Sequence, residues 1–212
     1  MNTENLPKKI AIFPLSNAVV FPKTVLPLNI FEERYIQLIN DCMKGTKLFG
    51  MVQPKVRTNL KPEVYTVGCL GKITSFNETK DKRFLITLSG IIRFRIKEES
   101  TTIKMYREFN VDYSDFLQDL NILKIDNNKF DTNGLLNKVK IFLEKKSYSI
   151  EIKELKKLNI DQLISTLSMI SPFSVEEKQK LIETVETEYR YKALEEIINF
   201  NLMDTNRYKT IQ

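Results

Sequence analysis

One early stretch, residues 13–35, changes its apolar pattern partway along, and this change constrains the fold more than any other feature of the chain. Its first half interrupts runs of Val, Leu, Ile and Phe with three prolines, Pro14, Pro22 and Pro27. Because proline has no backbone N–H, it belongs at the ends, edges and bends of strands. The following residues place apolar side chains at helical spacing: Phe31, Tyr35, Leu38, Ile39 and Cys42. The stretch therefore predicts a kinked extended segment that runs directly into an amphipathic helix.

This helix has both a start and a stop signal in the sequence. Asn29 is the predicted N-cap, and Glu32, three residues later, is its partner in a variant of the capping box. Gly45 follows the last apolar residue and predicts the C-terminal end of the helix, near Met43.

Several short strand patterns follow the helix. Gly68 and Gly71 lie inside one pattern and predict a bulge or sharp bend, and Gly90 predicts a bend between two further strands. The next pattern alternates apolar side chains with Arg93 and Arg95, which predicts a half-buried strand with a basic outer row. Short strands, glycine corners and one inserted helix together predict an α+β fold, built on a small antiparallel β-barrel that is closed or nearly closed.

Strand alternation ends near residue 113, and the predicted domain organisation follows from this change. The pattern predicts three regions: a β-barrel at residues 8–113, a polar linker at residues 114–133 and a C-terminal helical bundle at residues 134–203. Within the bundle, Asn159 is a predicted N-cap, and Ser174 with Glu177 forms a capping box that opens one long helix.

Composition narrows the class of protein. The chain has 212 residues, of which 42% are hydrophobic and 28% charged, as in ordinary globular proteins. It has no apolar run of about 18 residues, so no membrane span is expected. Its first residues, MNTENLPKK, show no positive segment followed by an apolar stretch, so no secretory signal is expected. These features predict a cytoplasmic protein without a membrane partner.

The net charge of +6 and the pI near 9.1 raise the question of a nucleic-acid partner. The lysines are dispersed, and no run of five or six basic residues occurs. Because such a spread reflects general composition rather than one basic face, charge-driven binding of nucleic acid is disfavoured and stays only as an alternative.

The residues that usually carry catalysis or bind metals are scarce. The chain has no histidine, which excludes histidine triads, Cys–His dyads and histidine-ligated metals. Cys42 and Cys69 lie far apart in apolar surroundings, as buried free thiols do. Gly45 and Gly50 have the spacing of a phosphate-binding loop, but Met51 stands where that loop needs lysine. We therefore expect no cofactor, no metal and no catalytic residue.

Four segments together resemble the N-terminal domain of Lon proteases and its stand-alone relatives. In order along the chain they read FPL…VVFPKTVLPLNIFEERY, LFGMV, VGCLGKI and LSGIIRFRI, within residues 8–113. The later segment SPFSVEEKQKLIE also resembles the helical part of the small stand-alone bacterial members. The resemblance implies a PUA-like β-barrel with an inserted helix, followed by a helical subdomain.

The resemblance also implies a function. In full-length Lon this domain recognises substrate proteins, and an ATPase module and a Ser–Lys peptidase module follow it. The present sequence ends at Gln212 and contains neither module. The expectation is a non-enzymatic protein- or peptide-binding module. Its expected partners are unfolded or specific polypeptides, with a full-length Lon protease as a further candidate.

If the family role holds, the candidate binding surface is the start of the inserted helix. Its candidate residues are Phe31, Glu32, Glu33, Arg34 and Gln37. Ordinary structural roles compete with binding here, because Phe31 suits packing at the junction of barrel and helix, Glu32 suits capping, and Arg34 suits an intramolecular ion pair.

Arg93 and Arg95 are further candidates for contact with an acidic partner, although a solvated sheet face also explains them. The alternative function is an RNA-binding module, since PUA-like barrels occur in RNA-modifying enzymes. That function needs converging basic residues and exposed aromatic side chains on which bases stack, for which Tyr65, Phe76 and Phe84 are the candidates.

Overall fold

A computed structural model describes residues 6–55, 63–121 and 129–207 of the chain. The chain divides into two units, residues 1–123 and residues 124–212. Within the described residues, the first unit holds a six-stranded sheet and the second unit is helical. The α+β class is therefore confirmed.

The first unit is built around its longest strand, β5. Its elements are β1 (Lys9–Pro14), β2 (Val25–Ile30), α1 (Glu33–Lys44), β3 (Leu48–Val52), β4 (Val67–Glu78), β5 (Phe84–Ser100), β6 (Arg107–Asp112) and a 3₁₀ helix (Ser114–Leu120). The strand order is β2-β5-β4-β3-β1-β6, and β5 also pairs with β6. Pairing thus runs from β5 through β4, β3, β1 and β6 back to β5, with β2 outside this ring.

One pairing in the sheet is parallel. Strand β1 runs parallel to β3, whereas the other five pairings are antiparallel. Parallel neighbours need a long crossover, and here β2 and α1 lie between the two strands in sequence. The prediction of a purely antiparallel sheet is corrected on this point.

Gly90 lies where the segment before β2 crosses β5. Its backbone N–H donates to the Thr24 carbonyl at 2.9 Å, and its own carbonyl accepts from the Lys23 N–H at 2.9 Å. A Cβ at this position would lie 2.0 Å from the carbonyl oxygen of buried Phe21. Glycine is therefore required for close approach of two backbones, and β5 continues through it as one strand.

Helix α1 begins later than the sequence predicts. Asn29 lies within β2, opposite Leu85 of β5, and the N-cap is Glu32, whose side chain makes no capping hydrogen bond. The predicted cap is wrong because pairing with β5 holds the backbone extended through Ile30. The predicted stop is confirmed, since Gly45 is the C-cap.

The second unit contains five helices within its described residues. They are α2 (Thr132–Lys145), α3 (Ile152–Leu155), α4 (Ile160–Ile170), α5 (Val175–Glu183) and α6 (Thr187–Arg207). The Asn159 side chain accepts from the Gln162 N–H, and Ser174 forms a complete capping box with Glu177. Both predicted caps are therefore confirmed.

The single long helix predicted after Ser174 is instead two helices. Thr184 is extended, with φ −70° and ψ 114°, and ends α5. The buried Arg190 guanidinium donates to the carbonyls of Thr184 and Val185, at 3.2 and 3.0 Å. These bonds satisfy carbonyls that a continuous helix would use, and so stabilise the break.

The segment predicted as a linker, residues 114–133, contributes folded structure at both ends. The 3₁₀ helix buries Phe116 and Asp119, and α2 begins at Thr132. Residues 122–128 lie outside the described residues. The predicted domain bounds stay predictions.

Replacement of Gly90 should destabilise the protein. In Gly90→Ala the new methyl group overlaps the Phe21 backbone, so we expect a loss of about 1–3 kcal/mol in the free energy of unfolding. Urea denaturation measures it. The adjacent Ser89→Ala is the control and should change stability by about 0.5 kcal/mol or less. Equal stability of the two variants would contradict the close approach.

Candidate functional site

The loop that joins β5 to β6, residues 101–106, is held on helix α1. The Met105 N–H donates to the Gln37 Oε1 at 2.8 Å, and the Tyr106 hydroxyl donates to the Asp41 Oδ2 at 2.8 Å. The Lys104 Nζ lies 3.3 Å from the same Asp41 oxygen. Gln37, a sequence candidate, therefore positions the loop.

Charge reinforces this attachment. The hydrogen bond from Tyr106, with help from Lys104, lowers the pKa of Asp41. The hydrogen bond to Tyr106 also raises the pKa of Lys104, and burial raises the pKa of Tyr106 to about 12. At neutral pH the carboxylate and the ammonium are both charged and the phenol is neutral. Charge-assisted hydrogen bonds to Asp41 thus tie the loop to α1, in addition to burial of the Tyr106 ring.

Three large apolar side chains are exposed in this loop and just before α1. Phe31, just before α1, is 63% exposed, Met105 is 57% exposed and Ile103 is fully exposed. Its spacing suggested that Phe31 packs where the sheet meets the helix, but its exposure shows that it does not. Tyr35 packs there instead, with its ring centroid 4.4 Å from that of Phe13. We call these three residues, together with α1 and residues 101–106, the α1–loop surface.

The same loop bounds an open polar recess of about 480 Å³. Its lining consists of Glu99, Ser100, Thr101, Thr102, Lys104, Met105, Tyr106 and Arg107. The hydroxyl groups in this lining can bond the peptide groups of a partner next to Met105, whereas Arg107 pairs with Glu99 and Lys104 with Asp41. Sequence reasoning missed the loop because only the tertiary contact with α1 brings it to the candidate helix.

The charged candidates at the start of α1 pair within the chain. The Arg34 Nε lies 2.9 Å and its Nη2 2.7 Å from the Glu32 Oε2, and the guanidinium stacks on the Tyr35 ring at 4.5 Å. The intramolecular pair considered for Arg34 is therefore present. Glu33 is exposed in the first turn of α1, where a negative charge suits the helix dipole.

Arg93 is not on the surface. It is 0% exposed, and its Nε and Nη2 donate to the two carboxylate oxygens of Asp119, at 2.9 and 2.8 Å. Its backbone N–H donates to Asp119 as well, and its guanidinium lies over the Phe116 ring at 4.7 Å. The prediction that Arg93 faces solvent is wrong, because the 3₁₀ helix covers that face of β5.

Arg95 stays exposed and pairs with exposed Asp115, at 2.9 Å. The sequence contained a signal for both pairs. Arg93 and Arg95 stand two residues apart, so they share one strand face, and Asp115 and Asp119 are acidic residues that follow in the same unit.

The aromatic residues considered for RNA stacking do not form one platform. Phe84 is buried, and Phe76 packs on it with a centroid distance of 4.9 Å. Tyr65 is half-buried, with the Lys55 Nζ 5.8 Å from its ring centroid.

Nothing in the part of the chain that the structure describes groups three or more Cys, Asp or Glu residues for a metal. Burial raises the pKa of the Cys69 thiol, and raises that of Cys42 to about 12, so neither is a reactive thiolate at neutral pH. No helix within the described ranges has the length and apolar character that crossing a bilayer requires.

Solved structures define the class of fold. The Lon N-terminal domain protein from Xanthomonas campestris aligns with a TM-score of 0.62 at 20% identity, covering 88% of this chain and 96% of that one. The N-terminal domain of a Mycobacterium avium complex Lon protease aligns with a TM-score of 0.58 at 15% identity, covering 91% and 98%. At these identities the likeness concerns the fold: the chain has the fold of Lon N-terminal domains.

The family follows from sequence. The model of the ATP-dependent protease La (LON) substrate-binding domain matches residues 9–199. The chain therefore belongs to the Lon substrate-binding domain family, which confirms the resemblance of its four segments.

Relatives named as Lon proteases match this chain over only part of their own length. The Lon protease of Desulfosudis oleivorans is 29% identical over 211 residues, covering 94% of this chain and 25% of the relative. The Lon protease of Flavobacterium johnsoniae is 33% identical over 101 residues, covering 46% and 12%. The chain thus spans about a quarter or less of the length of these curated relatives.

Loss of one member of the buried ion pair should destabilise the protein strongly. Asp119→Ala leaves the Arg93 guanidinium buried without its carboxylate, so we expect a loss of about 3–5 kcal/mol in urea denaturation. The control is Asp115→Ala on the same 3₁₀ helix, which breaks an exposed pair and should cost about 1 kcal/mol or less. If both variants lost similar free energy of unfolding, burial of the Arg93–Asp119 pair would not add to its contribution to stability.

Removal of the Tyr106 hydroxyl should raise the pKa of Asp41 toward its ordinary value, because that hydroxyl is the largest cause of its lowering. A carboxyl with a lowered folded-state pKa adds stability above its unfolded pKa and loses it as pH falls through the folded value. Tyr106→Phe should therefore weaken the contribution of Asp41 and move its loss to higher pH.

Titration of the Asp41 carboxyl carbon by NMR measures this shift. The control is Tyr113→Phe, whose hydroxyl donates to the Pro7 carbonyl and should leave Asp41 unchanged. An identical Asp41 titration in Tyr106→Phe and the unmodified protein would contradict the network.

Proposed function

We propose that this protein is a non-enzymatic module that binds polypeptides through the α1–loop surface. The observation that carries the proposal is the exposure of Phe31, just before α1, and of Ile103 and Met105, in the loop that hydrogen bonds fix to α1. Large apolar residues that a fold leaves exposed together are typical of protein interaction sites. Side chains such as Phe and Met are also enriched in interface cores.

Rigidity of the loop supports this proposal. Binding costs less conformational entropy when the contacting residues are already held in place. Gln37 and Asp41 hold the loop from α1, and Glu108, next to it in β6, accepts from Lys9 at 2.9 Å. The polar recess beside Met105 offers hydroxyl groups for the peptide groups of an unfolded chain.

The wider description rests on the family. The ring of strand pairings supports classification of the first unit as a PUA-like barrel. Family membership supports unfolded or specific polypeptides as partners, a Lon protease among them, and a cytoplasmic location. The matched family model describes a substrate-binding domain, which supports a role in binding rather than in catalysis.

The chemistry of the first unit suits internal segments of unfolded chains. A segment with one or two large apolar side chains can place them against Phe31 and Met105 and bond its backbone in the recess. Glu32 and Arg34, paired with each other beside Phe31, add no net charge there. We therefore expect recognition by apolar content rather than by the charge of the partner.

Phe31→Ala should weaken polypeptide binding about tenfold, the effect of losing a central apolar contact in an interface. The measurement is fluorescence anisotropy of the full chain with fluorescein-labelled casein, an unstructured protein. Thermal stability should not change, because Phe31 is exposed. The matched control is Phe200→Ala, since Phe200 is 68% exposed on α6 in the other unit.

Equal affinity of Phe31→Ala and the unmodified protein for casein would overturn the assignment of the surface. A labelled single-stranded RNA oligonucleotide serves as the competing probe. Binding of RNA without binding of casein would replace the proposal by the RNA-binding alternative.

A further inference from the structure

The second unit contains a half-open cavity of about 220 Å³, formed where α2, α3 and the start of α4 meet. Its walls are five aliphatic side chains: Leu136, Leu155, Leu158, Ile160 and Leu163. Three polar residues complete the lining: Thr132, Asn133 and Lys156. The lining therefore combines aliphatic and polar groups, and it includes a single cation.

The volume matches one large apolar side chain. A cavity of about 150 Å³ lined by aliphatic and aromatic side chains stays dry and takes up benzene. The cavity here is somewhat larger and opens on one side, so it can accept a leucine or phenylalanine side chain that enters from solvent. An apolar side chain that packs against the five aliphatic residues is removed from water, which favours its binding.

Lys156 gives this cavity a charge preference. Among the residues that the structure describes, its ammonium has no carboxylate within ion-pair distance, whereas neighbouring Lys157 pairs with Glu154 at 2.6 Å. Lys156 is exposed, so its long side chain can reach a ligand at the cavity mouth. An apolar group that carries a carboxylate close to its point of entry is the complementary ligand.

We propose that this cavity binds the C-terminal residue of a polypeptide, with its apolar side chain inside and its α-carboxylate at Lys156. The proposal rests on the proposed function, because it assumes that the chain binds polypeptides, and it adds the class of sequence that this second site selects.

Geometry favours a chain end over an internal acidic residue. The α-carboxylate is bonded to the same Cα that carries the side chain in the cavity, so it lies at the cavity mouth. In an extended segment the adjacent side chains point to the opposite face, away from the mouth. An aspartate or glutamate next to the inserted residue would therefore point away from Lys156.

Short peptides separate these contributions. The probe is a fluorescein-labelled Gly-Ser peptide that ends in leucine, compared with its C-terminal amide and with a peptide that ends in alanine. The full chain should bind the free acid at least about threefold more tightly than the amide, the scale of an exposed ion pair. Replacement of the terminal leucine by alanine should weaken binding roughly tenfold, because a leucine side chain leaves the cavity.

Lys156→Glu should weaken binding of the free acid and remove the preference for acid over amide. The control is Lys153→Glu, which makes the same charge change at an exposed position in α3, the short helix that Lys156 caps, but does not line the cavity. It should retain the preference.

A peptide in which an internal leucine is followed by aspartate tests the competing source of the carboxylate. Equal affinity of acid and amide, unchanged binding in Lys156→Glu, or tighter binding of the internal leucine–aspartate peptide would each overturn the proposed end recognition. If casein binding still depends on Phe31 in those cases, the function proposed for the α1–loop surface stands. If the unmodified chain binds neither casein nor any peptide, both proposals fail.

Discussion

The buried ion pair between Arg93 and Asp119 determines how the first unit closes. Arg93 lies two residues before Arg95, which is the last residue of β5 paired with β4 and the first paired with β6. Its partners there are Val67 and Asp112. A buried guanidinium is costly unless its partner is present, so Asp119 has to remain on β5 and holds the 3₁₀ helix there. Because that helix follows β6 directly, the same pair also fixes where β6 returns to β5.

The position of the candidate site depends on this closure. The loop of residues 101–106 leaves β5 and enters β6, so both its ends are fixed by the paired strands. Side chains of α1 then hold its middle through hydrogen bonds at Gln37 and Asp41. Attachment by polar groups explains why Met105 remains exposed although its backbone is anchored.

Structural features that depend on neighbouring residues could be predicted from the sequence, whereas features that depend on a residue far along the chain could not. The caps at Asn159 and Ser174 depend on the next three residues, and both were predicted. Alternation correctly put Arg93 opposite Phe94, but exposure of that face depended on Asp119, 26 residues later. Asn29 has the chemistry of a helix cap, yet pairing with β5 held it in a strand. Phe31 fits the apolar helical spacing but precedes the helix, so the face that its spacing implies does not exist there.

The exposed apolar residues of the α1–loop surface are not explained by folding. A fully exposed side chain such as Ile103 gains no burial on folding and so adds little to stability, while it favours association in water. Polar residues at these positions would serve the fold equally well. Two ion pairs, Glu32 with Arg34 and Asp41 with Lys104, belong to the same surface. Their charged groups stay hydrated and limit the apolar part of the surface to a small area. An apolar centre within a hydrated rim is the arrangement by which protein interfaces bind, and for this reason we propose the start of α1 and its loop as the surface for a partner.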